Sequence, residues 1–190
     1  MATRNWGIES IVNTTTAGIQ FLPVVAGLTG GGYVIVWGDA GTANHTIVAQ
    51  RYDALGNRVG AEMTIASSAG IDFETPSVTA LADGGFYTTF TQRVGADNYI
   101  LGAVYSATGA LVRSQPVVLA FGADNNSDVA RLGTGSVVAW EDPDGTNSDV
   151  LFRIFDAAGN GTFLFNASLN TAGAQFDPSV AGTEIGRAHV

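Results

Sequence analysis

The densest group of chemically capable side chains is the run Glu141-Asp142-Pro143-Asp144-Gly145-Thr146-Asn147-Ser148-Asp149. Hard oxygen donors this close together are what a calcium loop requires, and Asp142, Asp144, Asn147 and Asp149 are the candidate ligands. The spacing is not that of an EF-hand, and no bidentate Glu closes the loop. Pro143, Gly145 and Asn147 are also turn formers, so a polar hairpin accounts for the same residues. A second group is Glu74, Glu141 and Asp142. A glycosidase needs two facing carboxylates, and these three depart from their counterparts elsewhere in the chain, where a grafted site would show. Nucleophilic catalysis has poorer material. His45 and His189 are the only histidines, and no Gly-x-Ser-x-Gly elbow accompanies them.

Composition narrows the chemistry further. Cysteine is absent, which excludes disulfides, zinc-thiolate sites and thiol nucleophiles. Lysine is absent as well, since all eight basic residues are Arg, so a Schiff-base lysine is excluded. A net charge of −9 opposes binding to nucleic acid or an anionic membrane. No stretch approaches the roughly 18 unbroken apolar residues of a membrane-spanning helix. With 46% hydrophobic and 13% charged residues, the chain has material for a real core.

The elements that position these residues follow from an internal repeat. Tyr33-Val-Ile-Val-Trp37, Phe86-Tyr-Thr-Thr-Phe90 and Ser136-Val-Val-Ala-Trp140 align, each preceded by glycine (Gly32, Gly85, Gly135). The step from Trp37 to Phe90 is 53 residues, and from Phe90 to Trp140 it is 50. Fifteen residues after each of these aromatics stands another: Tyr52, Tyr105 and Phe155. Turns follow at Asp53–Asn57, Ser106–Ala110 and Asp156–Asn160, with Asp or Ser placed to cap and Gly where a left-handed residue is needed. Upstream, Ala17-Gly-Ile-Gln-Phe-Leu-Pro23 matches the segments ending at Pro76 and Pro178. Gln20, Asp72 and Gln175 recur there and are expected to bond backbone between strands.

Each copy reads as four strands. The first follows the proline (24–28, 77–81, 128–132), and the second is the apolar aromatic-ended run, as expected of a strand covered on both faces. The third spans 46–52, 100–105 and 150–155, and the fourth spans 58–65, 111–119 and 162–169. Four antiparallel strands per copy is the blade unit of a β-propeller. The fold expectation is all-β, with tandem four-stranded antiparallel blades forming an incomplete β-propeller. A β-sandwich is the alternative. Residues 1–183 form one repeat domain on this reading: a strand of a preceding blade at 7–12, blades at 13–65, 66–119 and 120–169, and a truncated blade at 170–183. Trp37, Phe90 and Trp140 are expected in packing between blades rather than stacked on sugars. Open blade edges are expected to pair with something, by self-association or with further blades.

The ends carry two further expectations. Met1–Trp6 shows neither an apolar core nor a small-residue cleavage pattern, so no N-terminal signal peptide is expected. Ile185-Gly-Arg-Ala-His-Val190 is what ATC GGA AGA GCA CAC GTC encodes, and it resembles a translated sequencing adapter. Residues 184–190 are therefore expected to be non-native.

The pattern carried by Asn13–Gln20, Pro23–Ala26, Gly31–Trp37 and Ala49–Asn57, and more loosely by the later copies, resembles repeats of large secreted bacterial proteins. Such proteins often carry hemolysin-type calcium-binding (RTX) or cadherin-like segments. The resemblance implies type I export, an extracellular or cell-surface location, and a role in adhesion or display. The Gly-Gly-x-Gly-x-Asp calcium nonapeptides are missing from this chain. The expected function is a non-catalytic scaffold or binding module with a carbohydrate or protein ligand and no cofactor beyond calcium. The alternative is a propeller-type glycoside hydrolase using carboxylates among Glu74, Glu141 and Asp142.

Overall fold

The computed structural model describes residues 9–41, 44–117, 125–143, 148–167 and 173–182. Within them the chain is all-β, with three four-stranded antiparallel sheets in tandem, each a simple meander. The first sheet holds β1 (Ile19–Gly27), β2 (Tyr33–Ala40), β3 (His45–Tyr52) and β4 (Arg58–Ala66). The second holds β5 (Asp72–Ala80), β6 (Phe86–Val94), β7 (Asp97–Tyr105) and β8 (Leu111–Pro116). The third holds β9 (Asn125–Leu132), β10 (Gly135–Pro143), β11 (Ser148–Phe155) and β12 (Phe165–Asn166). The first strands β1, β5 and β9 pack against one another in turn, so the sheets stand side by side, with no closure into a ring among the described residues.

Cross-strand register explains the repeat signature. The aromatic closing the third strand lies opposite the residue opening the second, as in Tyr33↔Tyr52, Phe86↔Tyr105 and Ser136↔Phe155. The first two pairs stack, with ring centroids 4.8 and 4.9 Å apart. In the third sheet Ser136 leaves Phe155 free to meet Tyr87 of the second sheet edge-on at 6.1 Å. The glycine before each aromatic strand has a steric cause. A Cβ on Gly32, Gly85 or Gly135 would overlap the carbonyl oxygen of Tyr52, Tyr105 or Phe155 respectively.

Two apolar clusters occupy the spaces between sheets. Val34, Val36, Ile47 and Ala49 of the first sheet meet Phe73, Phe86 and Phe90 of the second. Tyr87, Ile100 and Val117 on the opposite side of the second sheet meet Val129, Val138 and Trp140 of the third. Strand alternation alone divides Phe86 and Phe90 from Tyr87. The packing role expected of the aromatics holds for Phe90 and Trp140, which are buried between sheets, whereas Trp37 is buried on the outer face of the first sheet beside Val12 and Asn13.

The first strand of each sheet differs from its expected span. β1 and β5 begin before the proline, and all three first strands carry a bulge. The residue at the bulge, Leu22, Thr75 or Asn126, has a φ of 47–48°, and Asp177 repeats this at 54°. A left-handed residue there lets the strand keep pairing on both sides of the proline, which itself can donate nothing. The last strand differs too. β12 is two residues long where the pattern predicts 162–169, and Phe163 and Leu164 are exposed.

Candidate functional site

The carboxylates that break the repeat pattern lie at the boundaries between repeats. Glu74 stands on β5 at the first junction. Its Oε1 lies 2.9 Å from His45 Nδ1 of the first sheet, and its Oε2 accepts from Arg93 Nη1 at 3.2 Å. Asp72 Oδ1 accepts the backbone N–H of the same His45 at 2.8 Å. The His45 ring also meets Phe21 edge-on, with centroids 5.2 Å apart. His45 is thus the far end of a latch between two sheets.

Glu141 stands on β10 and is buried. Its Oε1 accepts from Asn126 Nδ2 at 3.1 Å and from the backbone N–H of Asp177 at 2.6 Å. One oxygen therefore holds the bulge of β9 to the segment after the third sheet. Glu74 and Glu141 are on different sheets with different partners.

Asp142 and Asp149 face each other across β10 and β11. Asp149 Oδ2 accepts from Asn166 Nδ2 at 3.3 Å, while its buried Oδ1 has no partner among the described residues. Asp144 and Asn147, the other two candidate calcium ligands, lie outside the described residues. Among the described residues no three His, Cys, Asp or Glu side chains gather as a metal ion would require.

The recurring Asp residues at the last turn of each repeat are caps. Asp53 Oδ1 accepts from the backbone of Leu55 (2.9 Å) and Asn57 (2.8 Å), and Oδ2 from Asn57 Nδ2 (2.9 Å). Asp156 does the same with Ala158 and Asn160 at the same distances. The Asn57 side-chain amide is the main cause holding the Asp53 carboxyl below its ordinary value, with backbone N–H groups adding to it. Asn160 does the same for Asp156. The glycine three residues after each cap takes φ of 79–87° in all three repeats, as the turn requires. Gln20 and Gln175 bond backbone, but locally, to Ala17 and Gly173, whereas Asp72 bonds backbone in the neighbouring sheet.

A second set of boundary residues went unrecognised in the sequence. Ser77, Asp128 and Ser179 occupy one repeat position, 51 residues apart. Ser77 Oγ donates to Asp128 Oδ1 at 2.6 Å, and the backbone N–H of Val129 donates to Ser77 Oγ at 3.2 Å. On the other side, Asp128 Oδ2 accepts from Val180 N at 2.8 Å and Ser179 Oγ at 3.3 Å. Asp128 thereby clasps β9 to β5 on one side and to the segment 173–182 on the other. Its signal was the exact spacing of small hydroxyl and carboxyl side chains one residue past each proline or its counterpart.

Near this clasp the bulges converge on a cleft of about 350 Å³ lined by Leu22, Pro23, Pro76, Asn126, Asp177 and Pro178, among others. The Thr75 hydroxyl lies 2.7 Å from that of Thr91, and Asn126 reaches Glu141, so both side chains are engaged with the strand beside them. The cleft presents a proline-rich wall with a few polar groups. No protein-family model matches the chain. A search of curated proteins finds no match either.

Proposed function

We propose that the chain is a non-catalytic repeat module, a scaffold or binding surface of a secreted bacterial surface or adhesin-like protein. The observation that carries this reading is the employment of Glu74 and Glu141. Both are engaged in holding neighbouring elements together, Glu74 across the first junction and Glu141 between β9 and the segment after the third sheet, each on a different sheet with its own partners. A pair of glycosidase carboxylates must instead face a common bond at a separation of roughly 5–10 Å. The proline-lined cleft offers a place for a carbohydrate or peptide ligand, since such walls pack against apolar sugar faces and extended chains. Type I export to the cell exterior belongs to the same proposal and rests on the resemblance of the repeat.

A glycan array combined with turnover of aryl glycosides tests it. Binding without hydrolysis is the expected result. Hydrolysis that is lost in Glu141→Gln, with the melting temperature kept, would replace the scaffold by a glycoside hydrolase.

A further inference from the structure

The internal junctions show what each repeat position is built to touch, and among the described residues the same positions of the first and third sheets stay exposed or only partly buried on their outer faces. On the side facing the preceding sheet, Val25, Val78 and Val129 are equivalent, as are Ile35, Thr88 and Val138. Val129 is 4% exposed and packed in the second cluster, and Val78 packs against the first. Val25 is 66% exposed, and Ile35 is only partly buried. The stretch around Val12 and Asn13 crosses this face over Trp37, its carbonyls at Ile11 and Val12 held by Arg58 Nη2, but it leaves the β1 margin open.

On the side facing the following sheet, Met63, Gln115 and Phe165 are equivalent by register. Met63 packs against the first cluster, and Gln115 donates to Gly159 O of the third sheet at 2.8 Å. Phe165 stacks on Phe152 of its own sheet, centroids 5.1 Å apart, and is 42% exposed. Val137, Val150 and Ile154 on that face are likewise only partly buried. Among the described residues, the first sheet thus offers one partly open face, the acceptor, and the third sheet offers the other, the donor.

We propose that the open face of the first sheet docks on the open face of the third sheet of a second copy of this chain, head to tail. The seat has already been fitted for β1. Residues 173–182 lie along β9, clasped by Asp128, and seven of their ten residues match residues 18–27 at the same positions. That segment belongs to no strand, so it holds the seat without a ladder behind it. The β1 of a second copy brings its whole sheet and displaces it. A heterologous contact of this kind closes only if its rotation allows. Two copies would make six sheets, within the range of about four to eight at which such rings close. The docking involves faces rather than the strand edges alone, and it does not depend on whether the module binds a glycan.

Sedimentation velocity on the full chain at rising concentration tests the proposal, with Val25→Arg marring the acceptor and Phe165→Arg the donor. The parent chain is expected at twice the monomer mass, and each variant alone associates about tenfold or more weakly, because an unpaired charge would be buried. An equimolar mixture of the two variants recovers association, since one unmarred acceptor then meets one unmarred donor. Val180→Asp, which places a second carboxylate beside Asp128, loosens the resident segment and strengthens association. A parent chain that stays monomeric, variants that associate like the parent, or a mixture that recovers nothing would each overturn head-to-tail docking. Weaker association in Val180→Asp would overturn the displacement. Val25→Glu and Phe165→Glu repeat the pair, so misfolding of one substitution leaves the comparison in hand.

Discussion

The two junctions between sheets share a backbone plan and little else. At the first, Phe86 and Phe90 sit against aliphatic side chains, and the rim is ionic, with Glu74 between His45 and Arg93. At the second, Tyr87 and Trp140 fill the centre, and the links are hydrogen bonds among hydroxyls, amides and the Asp128 carboxylate: Ser77 to Asp128, Ser127 Oγ to Thr89 Oγ1 at 3.0 Å, Asn98 Nδ2 to Asn125 Oδ1 at 2.7 Å. The position that carries Arg51 at the first junction, reaching Ala107 O across the gap, is Val104 at the second. The second junction keeps a cavity of about 220 Å³ beside Val104 and Phe155, bridged instead by Arg113 to Ala158 O at 2.8 Å. The repeat thus specifies where sheets stand, and side chains chosen locally decide how each pair is fastened.

Truncating the central aromatics should break the junctions most severely. Phe90→Ala and Trp140→Ala are each expected to lose about 3–5 kcal/mol in denaturant unfolding, as large buried aromatics do. A loss below about 1 kcal/mol at either site would show that its cluster is not what joins the sheets.

The fastenings should separate the junctions more sharply than the cores do. Asp128→Ala leaves the Ser77 hydroxyl and the Val180 N–H without their acceptor, and is expected to cost about 2–3 kcal/mol at any ionic strength. Glu74→Gln removes a partly exposed ion pair and is expected to cost about 1 kcal/mol or less, shrinking further in high salt. Equal costs for the two, or equal sensitivity to salt, would erase the contrast between a junction rimmed by an ion pair and one held by hydrogen bonds to a single carboxylate.

The smallest effect belongs to the turns. The folded-state carboxyls of Asp53 and Asp156 lie below the ordinary 3.8, so the stability they contribute is fully present above that value. It is lost as pH falls through their depressed folded values. The middle repeat uses Ser106, whose Oγ accepts Ala110 N at 3.2 Å and does not titrate. Asp53→Asn with Asp156→Asn is therefore expected to flatten the acid limb of stability against pH, while Ser106→Ala leaves its shape alone. An acid limb unchanged in the double variant would assign it to other carboxylates.

The strands built on apolar periodicity and the turns built on Asp and Gly were legible in the sequence, because both signals are local. The start of each first strand was not. A residue before proline is biased toward extended backbone, and nothing in Leu22 or Thr75 announces a left-handed conformation. That conformation depends on neighbouring strands, which a sequence window does not contain. β12 fell short of its pattern for a related reason. Thr162, Phe163 and Leu164 carry strand-forming or apolar side chains, but they stand exposed, with no described sheet packed over them. Glu74 and Glu141 were legible as departures from the repeat, but their meaning was not. A break in a repeat marks a boundary fastening as readily as a grafted site, and only their partners distinguish the two.

The glycines before the aromatic strands reach beyond this chain. At Gly32, Gly85 and Gly135 even a methyl group collides with a neighbouring carbonyl, whereas the latches beside them can be exchanged for others. As copies of this repeat drift apart, the fastenings change first and the bare backbone crossing last. A distant copy with no recognisable latch could still be traced by a glycine, an apolar strand, and an aromatic twenty residues after the glycine, at the spacing of Gly32 to Tyr52.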